Sequence, residues 1–214
     1  MTQSRLRIGE WLLFAIALTC VVSAGGCKLI ATAAYLTMPN DVEAEYDGLK
    51  GERVVVICHD VGGLGYQDAG VPSDLARLVG QHLDEHVRRV EVVSPDEVND
   101  WVDSNEVRLA ELGKAMDADK VVSIELEHYN LYRGPSLYQG HAEATLVVYD
   151  VDSEDSYELK PLESVYPPHS GVELTESENQ FRRRYLRVLA ADIGRRFYDH
   201  ESIVASKDRL YPNR

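Results

Sequence analysis

Cysteine and basic residues are both scarce in this 214-residue chain, which has 3 cysteines and 22 lysines and arginines against 36 acidic residues. An odd count of three cysteines does not suit a small domain held together by disulfides. The formal net charge of -14 repels the phosphates of nucleic acids and anionic lipid headgroups. Because 44% of the residues are hydrophobic, the composition is that of a globular domain rather than a disordered acidic tail.

The sequence begins with an apolar run that is shorter than the roughly 20 residues of a comfortable membrane span. Residues 11–22 follow a basic start at Arg5 and Arg7 and precede the small residues 23–26. This order is typical of a secretory signal peptide. Because Cys27 comes next, the sequence Ala-Gly-Gly-Cys at residues 24–27 resembles a bacterial lipobox, with Ala24 at the position where leucine is usual.

The lipobox resemblance implies cleavage before Cys27 and attachment of lipid, palmitate included, to that cysteine. The mature chain would then face the periplasm, and Lys28 after the cysteine favours the outer membrane over the inner one. An uncleaved helix that continues past Lys28 through residues 29–36 is the alternative anchor. Since Cys20 leaves with the signal peptide, Cys58 remains as a lone thiol and no internal disulfide can form.

Composition divides the chain into four parts. Residues 1–26 form the predicted signal peptide, residues 27–51 a polar tether, residues 52–200 an α/β domain, and residues 201–214 a C-terminal tail. We find no internal repeat and no low-complexity tract in the sequence.

Within the domain, the spacing of apolar residues predicts alternating strands and helices. A β-branched run at residues 54–57 predicts a central strand covered on both faces. Ser73 predicts the start of a helix that runs to about Arg89. Ser94, with Pro95 and Glu97, predicts a capping box at the start of another helix. Further predicted elements are a strand at residues 90–93, a helix at 106–116, a strand at 157–166 and a helix at 177–198.

From residue 120 the apolar residues alternate with polar ones, which is the period of a strand. Two such segments predict an antiparallel hairpin with a loop from Arg133 to Leu137. A register that pairs Val122 with Val148 keeps the apolar side chains on one face. It places Glu125 opposite Thr145, Glu127 opposite Glu143, and Tyr129 opposite His141.

The predicted order is β-α-β-α-α-β-β-β-α. It indicates an α/β domain with a mixed sheet and a long C-terminal helix.

Cys58, His59 and Asp60 end the first strand, where active sites of α/β proteins often lie. A thiol or metal-dependent hydrolase is therefore an alternative function for this chain. Adjacent side chains of a strand point to opposite faces, so Cys58 and His59 are poorly placed as nucleophile and base. The favoured interpretation of Cys58 is an ordinary buried thiol.

His82, Glu85 and His86 match the H-x-x-E-H pattern of one class of zinc proteases. Both histidines fall on the same helix face as Leu78 and Val79, which predicts packing residues and no bound metal. These three residues are the candidate ligands if a metal-dependent enzyme is the function instead.

Residues 62–65 (Gly-Gly-Leu-Gly) follow the first strand, as dinucleotide-binding loops do. The third glycine of that motif would fall at Asp68, and no phosphate-binding lysine is present. The sequence therefore favours a surface loop and no cofactor, with a small-ligand or cation sensor as an alternative.

Two surfaces are candidates for binding a partner protein. On the solvent face of the hairpin, like charges opposite each other are unfavourable unless a cation or an arginine lies between them. The last helix carries several arginines in an otherwise acidic protein. The candidate residues are Glu125, Glu127, Tyr129, His141 and Glu143 on the hairpin, Arg183, Arg184 and Arg187 on the helix, and Tyr132 and Tyr138 near the turn.

The segment Met116-Asp117-Ala118-Asp119-Lys120-Val121-Val122, with the lipobox and the closing helix, resembles a family of bacterial envelope lipoproteins. That family has the small α/β domain of the curli-secretion lipoproteins, of the lipoprotein activators of penicillin-binding proteins and of the amino-terminal domain of the Tol-system propeller protein. The resemblance covers about residues 51–198. It departs from the family at residues 123–125, where a glycine is expected.

The resemblance implies a fold, an envelope location and a protein-binding role. We therefore expect a lipid-anchored, periplasm-facing accessory or assembly lipoprotein that has no catalytic activity and binds another envelope protein but no nucleic acid.

Overall fold

The computed structural model describes residues 41–169, 171–173 and 177–201, and Val42–His200 forms one compact unit. The predicted signal peptide, the lipidation site Cys27, the alternative uncleaved helix and residues 202–214 of the predicted tail lie outside the described residues. Among the helices described, none has the length and apolar character needed to cross a membrane.

The described elements confirm the α/β class, the mixed sheet and the long C-terminal helix. The strands are β1 (Asp41–Val42), β2 (Arg53–Asp60), β3 (Glu91–Val92), β4 (Lys120–Arg133), β5 (Leu137–Asp150), β6 (Ser156–Glu158), β7 (Leu162–Tyr166), β8 (Val172–Glu173) and β9 (His200–Glu201). The helices are α1 (Val71–His86), α2 (Pro95–Ser104), α3 (Leu109–Ala115) and α4 (Glu178–Gly194). Short 3-10 turns occur at Tyr66–Asp68 and Arg195–Phe197.

The main sheet has the strand order β3-β2-β4-β5-β6. Strand β2 is parallel to both β3 and β4, whereas β4 and β5 form an antiparallel hairpin. Strands β7 and β8 also pair antiparallel with β5, further along its outer edge. The predicted single strand at residues 157–166 is thus two strands, β6 and β7, and Pro161 lies between them.

Helices cover the two faces of the sheet unequally. On one face, α1 and α4 pack over the main core, which includes Leu75, Ile124 and Phe181, all fully buried. On the other face, α2 and α3 contribute Val98 and Leu112 to a smaller cluster. That cluster includes Val55 and Ile57 of β2 and Val121 of β4 but no later residue of either strand, so the sheet is covered on both faces at one end.

The hairpin register is confirmed as far as Leu126. Val122 pairs with Val148, Ile124 with Leu146, Leu126 with Ala144, and Glu125 with Thr145. Beyond Leu126 the prediction is wrong, because a β-bulge at Glu127 shifts the register by one residue. Glu143 therefore lies opposite His128, and Tyr129 lies opposite Ala142.

The bulge also changes which residues of β4 face the core. Ile124 and Leu126 are buried before it, and Tyr129 and Leu131 are buried after it, so the inward positions change from even to odd numbers. A second irregularity between Asn130 and Tyr132 restores the original register. The strands consequently run to Arg133 and resume at Leu137, leaving a loop of residues 134–136 that is shorter than predicted.

Helix α1 begins at Val71, three residues before the start that a cap at Ser73 predicts. Its N-cap is Gly70 and not Ser73, and Pro72 lies within the first turn. Val71 is 2% exposed, so burial of this side chain favours the earlier start. The Ser73 hydroxyl instead donates a hydrogen bond to the Gly70 carbonyl at 3.2 Å.

The serines that precede α4 and α2 differ in the structure, and only Ser94 was predicted to form a capping box. Ser177 caps α4 with a full capping box, in which its side chain accepts from the Gln180 N–H and the Gln180 side chain accepts from the Ser177 N–H. Ser94 is the N-cap of α2, with Pro95 in the first turn, but its side chain makes no capping hydrogen bond. The capping box predicted at Ser94 is therefore not formed.

Residues 42–51 of the predicted tether pack against the domain. Leu49 is fully buried in the main core. Glu45 forms an ion pair with Arg196 and accepts a hydrogen bond from the Lys160 N–H at 2.6 Å. Burial alone would raise the pKa of Glu45, but these contacts lower it below its usual value.

Candidate functional site

One part of the sheet has no described helix over it, and we call it the open sheet face. It lies opposite α1 and α4, beyond the end covered by α2 and α3. On β5, Ala142 and Ala144 face the main core, so His141, Glu143 and Thr145 point to the open side. The open sheet face comprises His59, Glu125, Glu127, His128, His141, Glu143, Thr145 and Glu163.

Two carboxylates face each other at the outer part of this surface. Glu143 on β5 pairs in register with Glu163 on β7. The His141 Nε2 atom lies 3.5 Å from Glu143 Oε1 and 3.4 Å from Glu163 Oε1, and it makes no hydrogen bond to any described atom. The His128 ring packs edge-on against His141, with the ring centroids 5.0 Å apart. The like-charge pair predicted between Glu127 and Glu143 does not form, and Glu143 lies opposite Glu163 of β7 instead.

The inner part of the open sheet face is a second group of polar residues. The Thr145 hydroxyl donates a hydrogen bond to Glu127 Oε1 at 2.6 Å. His59 lies opposite Glu125 in the β2–β4 register. Burial lowers the pKa of His59, and the nearby Glu125 carboxylate opposes that shift.

Tyr129 does not belong to this surface, contrary to the sequence prediction. The bulge at Glu127 turns it inward, where it is 8% exposed and stacks on Tyr185 with ring centroids 5.9 Å apart. Burial raises the pKa of the Tyr129 phenol. Tyr129 is therefore a core residue and cannot contact a partner on the open face.

The tyrosines near the hairpin turn also differ from one another. Tyr138 is buried and stacks on Phe181 with a centroid distance of 4.9 Å. Tyr132 is 43% exposed, and its hydroxyl donates a hydrogen bond to Glu178, which raises the pKa of Tyr132 to about 12. Of this pair, only Tyr132 presents its ring to solvent.

The arginines of α4 have separate local roles. Arg182 forms ion pairs with Asp68 at 2.9 Å and with Glu178 at 2.5 Å, which fixes the turn at residues 66–68 against the helix. The Arg184 guanidinium lies over the ring of Phe181 at 5.2 Å. Arg183 and Arg187 are exposed and have no ion pair with any residue in the described ranges.

The structure does not bring Cys58, His59 and Asp60 together as a catalytic group. Cys58 packs against the main core, whereas His59 lies on the open sheet face. Burial, with a smaller effect of Asp60, raises the pKa of the Cys58 thiol to about 12. The Asp60 carboxylate accepts hydrogen bonds from the Gly63 and Leu64 N–H groups, at 2.8 and 2.6 Å.

The glycine-containing loop at residues 61–65 is held by its own backbone contacts. The Val61 and Gly62 N–H groups donate to the Leu126 carbonyl. The Gly63 and Leu64 N–H groups donate to the Asp60 carboxylate. A Cβ at Gly62 would lie 1.9 Å from the Glu127 carbonyl oxygen, so only glycine allows the loop to pass the bulge. These N–H groups are already engaged and do not form an open cradle for a phosphate.

At the end of α1, His82, Glu85 and His86 lie on one side of the helix, and a ligand atom from each lies within 4.8 Å of the others. The His82 and His86 rings stack with centroids 4.2 Å apart. His82 Nε2 is 2.8 Å from the Tyr198 hydroxyl. Burial, then the nearby His86 and Arg195, lowers the pKa of His82 to about 4. The sequence identifies this group through its H-x-x-E-H spacing, but it predicts that both histidines are packing residues with no bound metal.

Comparisons with known proteins place bacterial lipoproteins among the similar folds. No protein-family model and no curated protein sequence matches the chain. The PelC dodecamer from Paraburkholderia phytofirmans has 10% identity and a TM-score of 0.41, with 71% of this chain and 94% of that chain covered. The lipoprotein GNA1162 from Neisseria meningitidis has 13% identity and a TM-score of 0.41, covering 66% and 96%. The LpoB C-terminal domain from Salmonella enterica has 10% identity and a TM-score of 0.36, covering 56% and 87%. These likenesses concern the fold alone.

Proposed function

We propose that this chain is an envelope lipoprotein, anchored through lipid on Cys27, whose domain acts without catalysis by binding a basic segment of another envelope protein. The open sheet face is the binding surface in this proposal. The observation that carries it is the row of carboxylates on an exposed part of the sheet, with Glu143 directly opposite Glu163.

The anchor is supported by the order of the N-terminal sequence. A basic start, an apolar run and small residues precede Cys27, as in lipoprotein signals. Lys28 at the next position favours delivery to the outer membrane, with the domain facing the periplasm.

The charge of the open sheet face favours a basic partner. Opposed carboxylates destabilise a strand pair, and a lysine or arginine from a partner would relieve that repulsion. His141 lies between Glu143 and Glu163 without a hydrogen bond to either, so it does not satisfy them fully. The bulge at Glu127 turns this side chain outward beside Glu125, which adds to the negative potential of the surface.

The absence of catalysis in the proposal is supported by the geometry of Cys58. A thiol with its pKa raised to about 12 is protonated at neutral pH, and His59 is on the opposite side of the sheet. Asp60 is engaged in ordering the following loop.

Site-specific photocrosslinking in cells tests the binding surface. A photoreactive residue at Thr145, at the centre of the open sheet face, should give a crosslinked product whose partner segment is rich in lysine or arginine. The triple variant Glu125→Gln, Glu143→Gln, Glu163→Gln should reduce that product by about tenfold or more, because it removes the attraction for the basic segment.

A matched triple variant on α2 provides the control. Glu97→Gln, Asp100→Asn and Asp103→Asn neutralise three exposed acidic residues away from the open face and should leave the crosslink unchanged. A photoreactive residue at Arg187 reports on α4 instead. Crosslinks formed only from Arg187, or a Thr145 crosslink that survives the open-face variant, would refute the proposal.

Mass spectrometry tests the anchor separately. The unchanged chain should show a lipid-modified N-terminal Cys27, and Cys27→Ser should abolish that added lipid mass. An unchanged chain that keeps residues 1–26 and carries no lipid on Cys27 would instead support the uncleaved helix.

A further inference from the structure

The group of His82, Glu85 and His86 at the end of α1 has no part in the proposed function. His82, Glu85 and His86 lie at helical positions i, i+3 and i+4, which share one face of a helix. A ligand atom of each residue lies within 4.8 Å of a ligand atom of the other two. Glu85 and His86 are exposed, so an ion can approach from solvent.

We propose that His82, Glu85 and His86 form a binding site for one divalent transition-metal ion, of which zinc is the best fit. Two imidazoles and a carboxylate are ligands that Zn²⁺ accepts, whereas Mg²⁺ and Ca²⁺ prefer oxygen ligands only. Three protein ligands leave one position of a tetrahedral zinc site for water or for a group from a partner.

Neighbouring contacts orient both histidines. His86 Nδ1 is 2.9 Å from the His82 carbonyl oxygen, which leaves His86 Nε2 for a metal. His82 Nε2 is 2.8 Å from the Tyr198 hydroxyl, which leaves the other ring nitrogen. A metal-bound histidine commonly donates its second ring N–H to a carbonyl or another oxygen in this way.

The position of the His82 ring is fixed by the close approach of another helix. A Cβ at Gly194 of α4 would lie 2.1 Å from the His82 ring, so glycine is required where the ring crosses the helix end. The Tyr198 ring stacks on His86 with centroids 4.9 Å apart. The His82 ring is therefore held in place by packing, whereas the exposed His86 ring, which stacks on it with centroids 4.2 Å apart, turns about its side-chain torsions to bring its nitrogen to a shared ion.

Zinc titration of the metal-free full-length chain in detergent tests the site. We expect one zinc per chain by isothermal titration calorimetry, confirmed by elemental analysis after gel filtration. The exposed ligands are the ones to change first, because His86→Ala and Glu85→Gln leave the core intact. Each should weaken zinc binding by about tenfold or more.

Tyr198→Phe tests the supporting contact. It keeps all three ligands but removes the hydroxyl beside His82, so zinc binding should weaken by about tenfold to a hundredfold. A purely structural role of Tyr198 would change the melting temperature without changing zinc affinity.

His169→Ala is the matched control, because His169 is exposed and lies outside the group. It should bind zinc as the unchanged chain does. Cobalt in place of zinc should give a four-coordinate visible spectrum without the charge-transfer band of a bound thiolate, which distinguishes this site from binding by a cysteine.

Three results would overturn the proposal. They are no stoichiometric zinc in the unchanged chain, equal zinc affinity in His86→Ala and the unchanged chain, or a thiolate band in the cobalt spectrum. Circular dichroism of each variant shows whether its fold is retained. None of these outcomes bears on the open sheet face, so the two proposals can fail separately.

Discussion

The ring of Tyr185 on α4 lies directly on Gly140 of β5. A Cβ built at Gly140 would be 2.4 Å from two atoms of that ring. Tyr185 is fully buried, and its hydroxyl donates a hydrogen bond to the Ser164 carbonyl at 2.9 Å. The helix can therefore reach the sheet at this point only because residue 140 has no side chain.

Gly140→Ala should lower the free energy of unfolding by about 2 kcal/mol, because the added methyl group would overlap the buried Tyr185 ring and force it to move. Urea denaturation measures this difference. The control is Gly65→Ala, where a Cβ would meet no atom within 4 Å and the backbone φ is -64°. An equally small change in the free energy of unfolding for both substitutions would contradict the close packing of Tyr185 on Gly140.

Cys58 should resist thiol reagents in the folded chain. Burial raises the pKa of this thiol to about 12, so almost none of it is thiolate at pH 8. In a Cys20→Ser, Cys27→Ser background, a chromogenic disulfide reagent should react slowly under native conditions and at once in denaturant. Rapid stoichiometric reaction of the native chain would show an accessible thiolate and revive a catalytic role for Cys58.

Local patterns predict the elements of this fold better than they predict its irregularities. Alternation of apolar residues is sufficient to pair Val122 with Val148, because only one register keeps both buried. The bulge at Glu127 lies against the loop at Gly62, which is distant in sequence and packs against the Glu127 carbonyl. The alternation of apolar and polar residues does not indicate that contact. The sequence therefore predicts an exposed Tyr129, whereas the structure buries this residue.

The candidate sites show the same limit. The H-x-x-E-H spacing identifies His82, Glu85 and His86 from sequence, since helical geometry alone brings them together. Glu163 could not be placed beside Glu143 in the same way, because β7 pairs with β5 across a connection whose length does not fix the register. The only sequence signal for Glu163 was its odd-numbered position in the run of residues 162–166.

The contact between Lys120 and Asp150 should make the free energy of unfolding depend on pH in the acidic range. The hydrogen bond from Lys120, helped by backbone N–H contacts, lowers the pKa of Asp150 from 3.8 to about 2. Because the folded-state pKa lies below the unfolded one, the pair stabilises the fold above about pH 4 and loses this contribution as the pH falls towards 2. Asp150 is 29% exposed, so we expect only about 1 kcal/mol from it after solvent screening.

Asp150→Asn should therefore be less stable than the unchanged chain at pH 7 and nearly equal to it at pH 2, as measured by urea denaturation at each pH. Lys114→Met provides the comparison, since Lys114 and Glu154 form a pair that is 60% and 64% exposed. That substitution should change stability little at either pH. A difference for Asp150→Asn that is constant with pH would show that the carboxylate does not titrate as described.

Ser177 and Ser94 should contribute unequally to stability although the sequence gives both the signature of a capping box. The Ser177 side chain accepts from the Gln180 N–H at 3.3 Å, so Ser177→Ala leaves that N–H without its partner at the start of α4. We expect a loss of about 1 kcal/mol. The Ser94 side chain makes no capping bond at the start of α2, and Ser94→Ala should cost only a few tenths of that amount. Thermal and urea denaturation of the two single variants compares them directly, and equal losses would mean that the cap at Ser94 forms in solution.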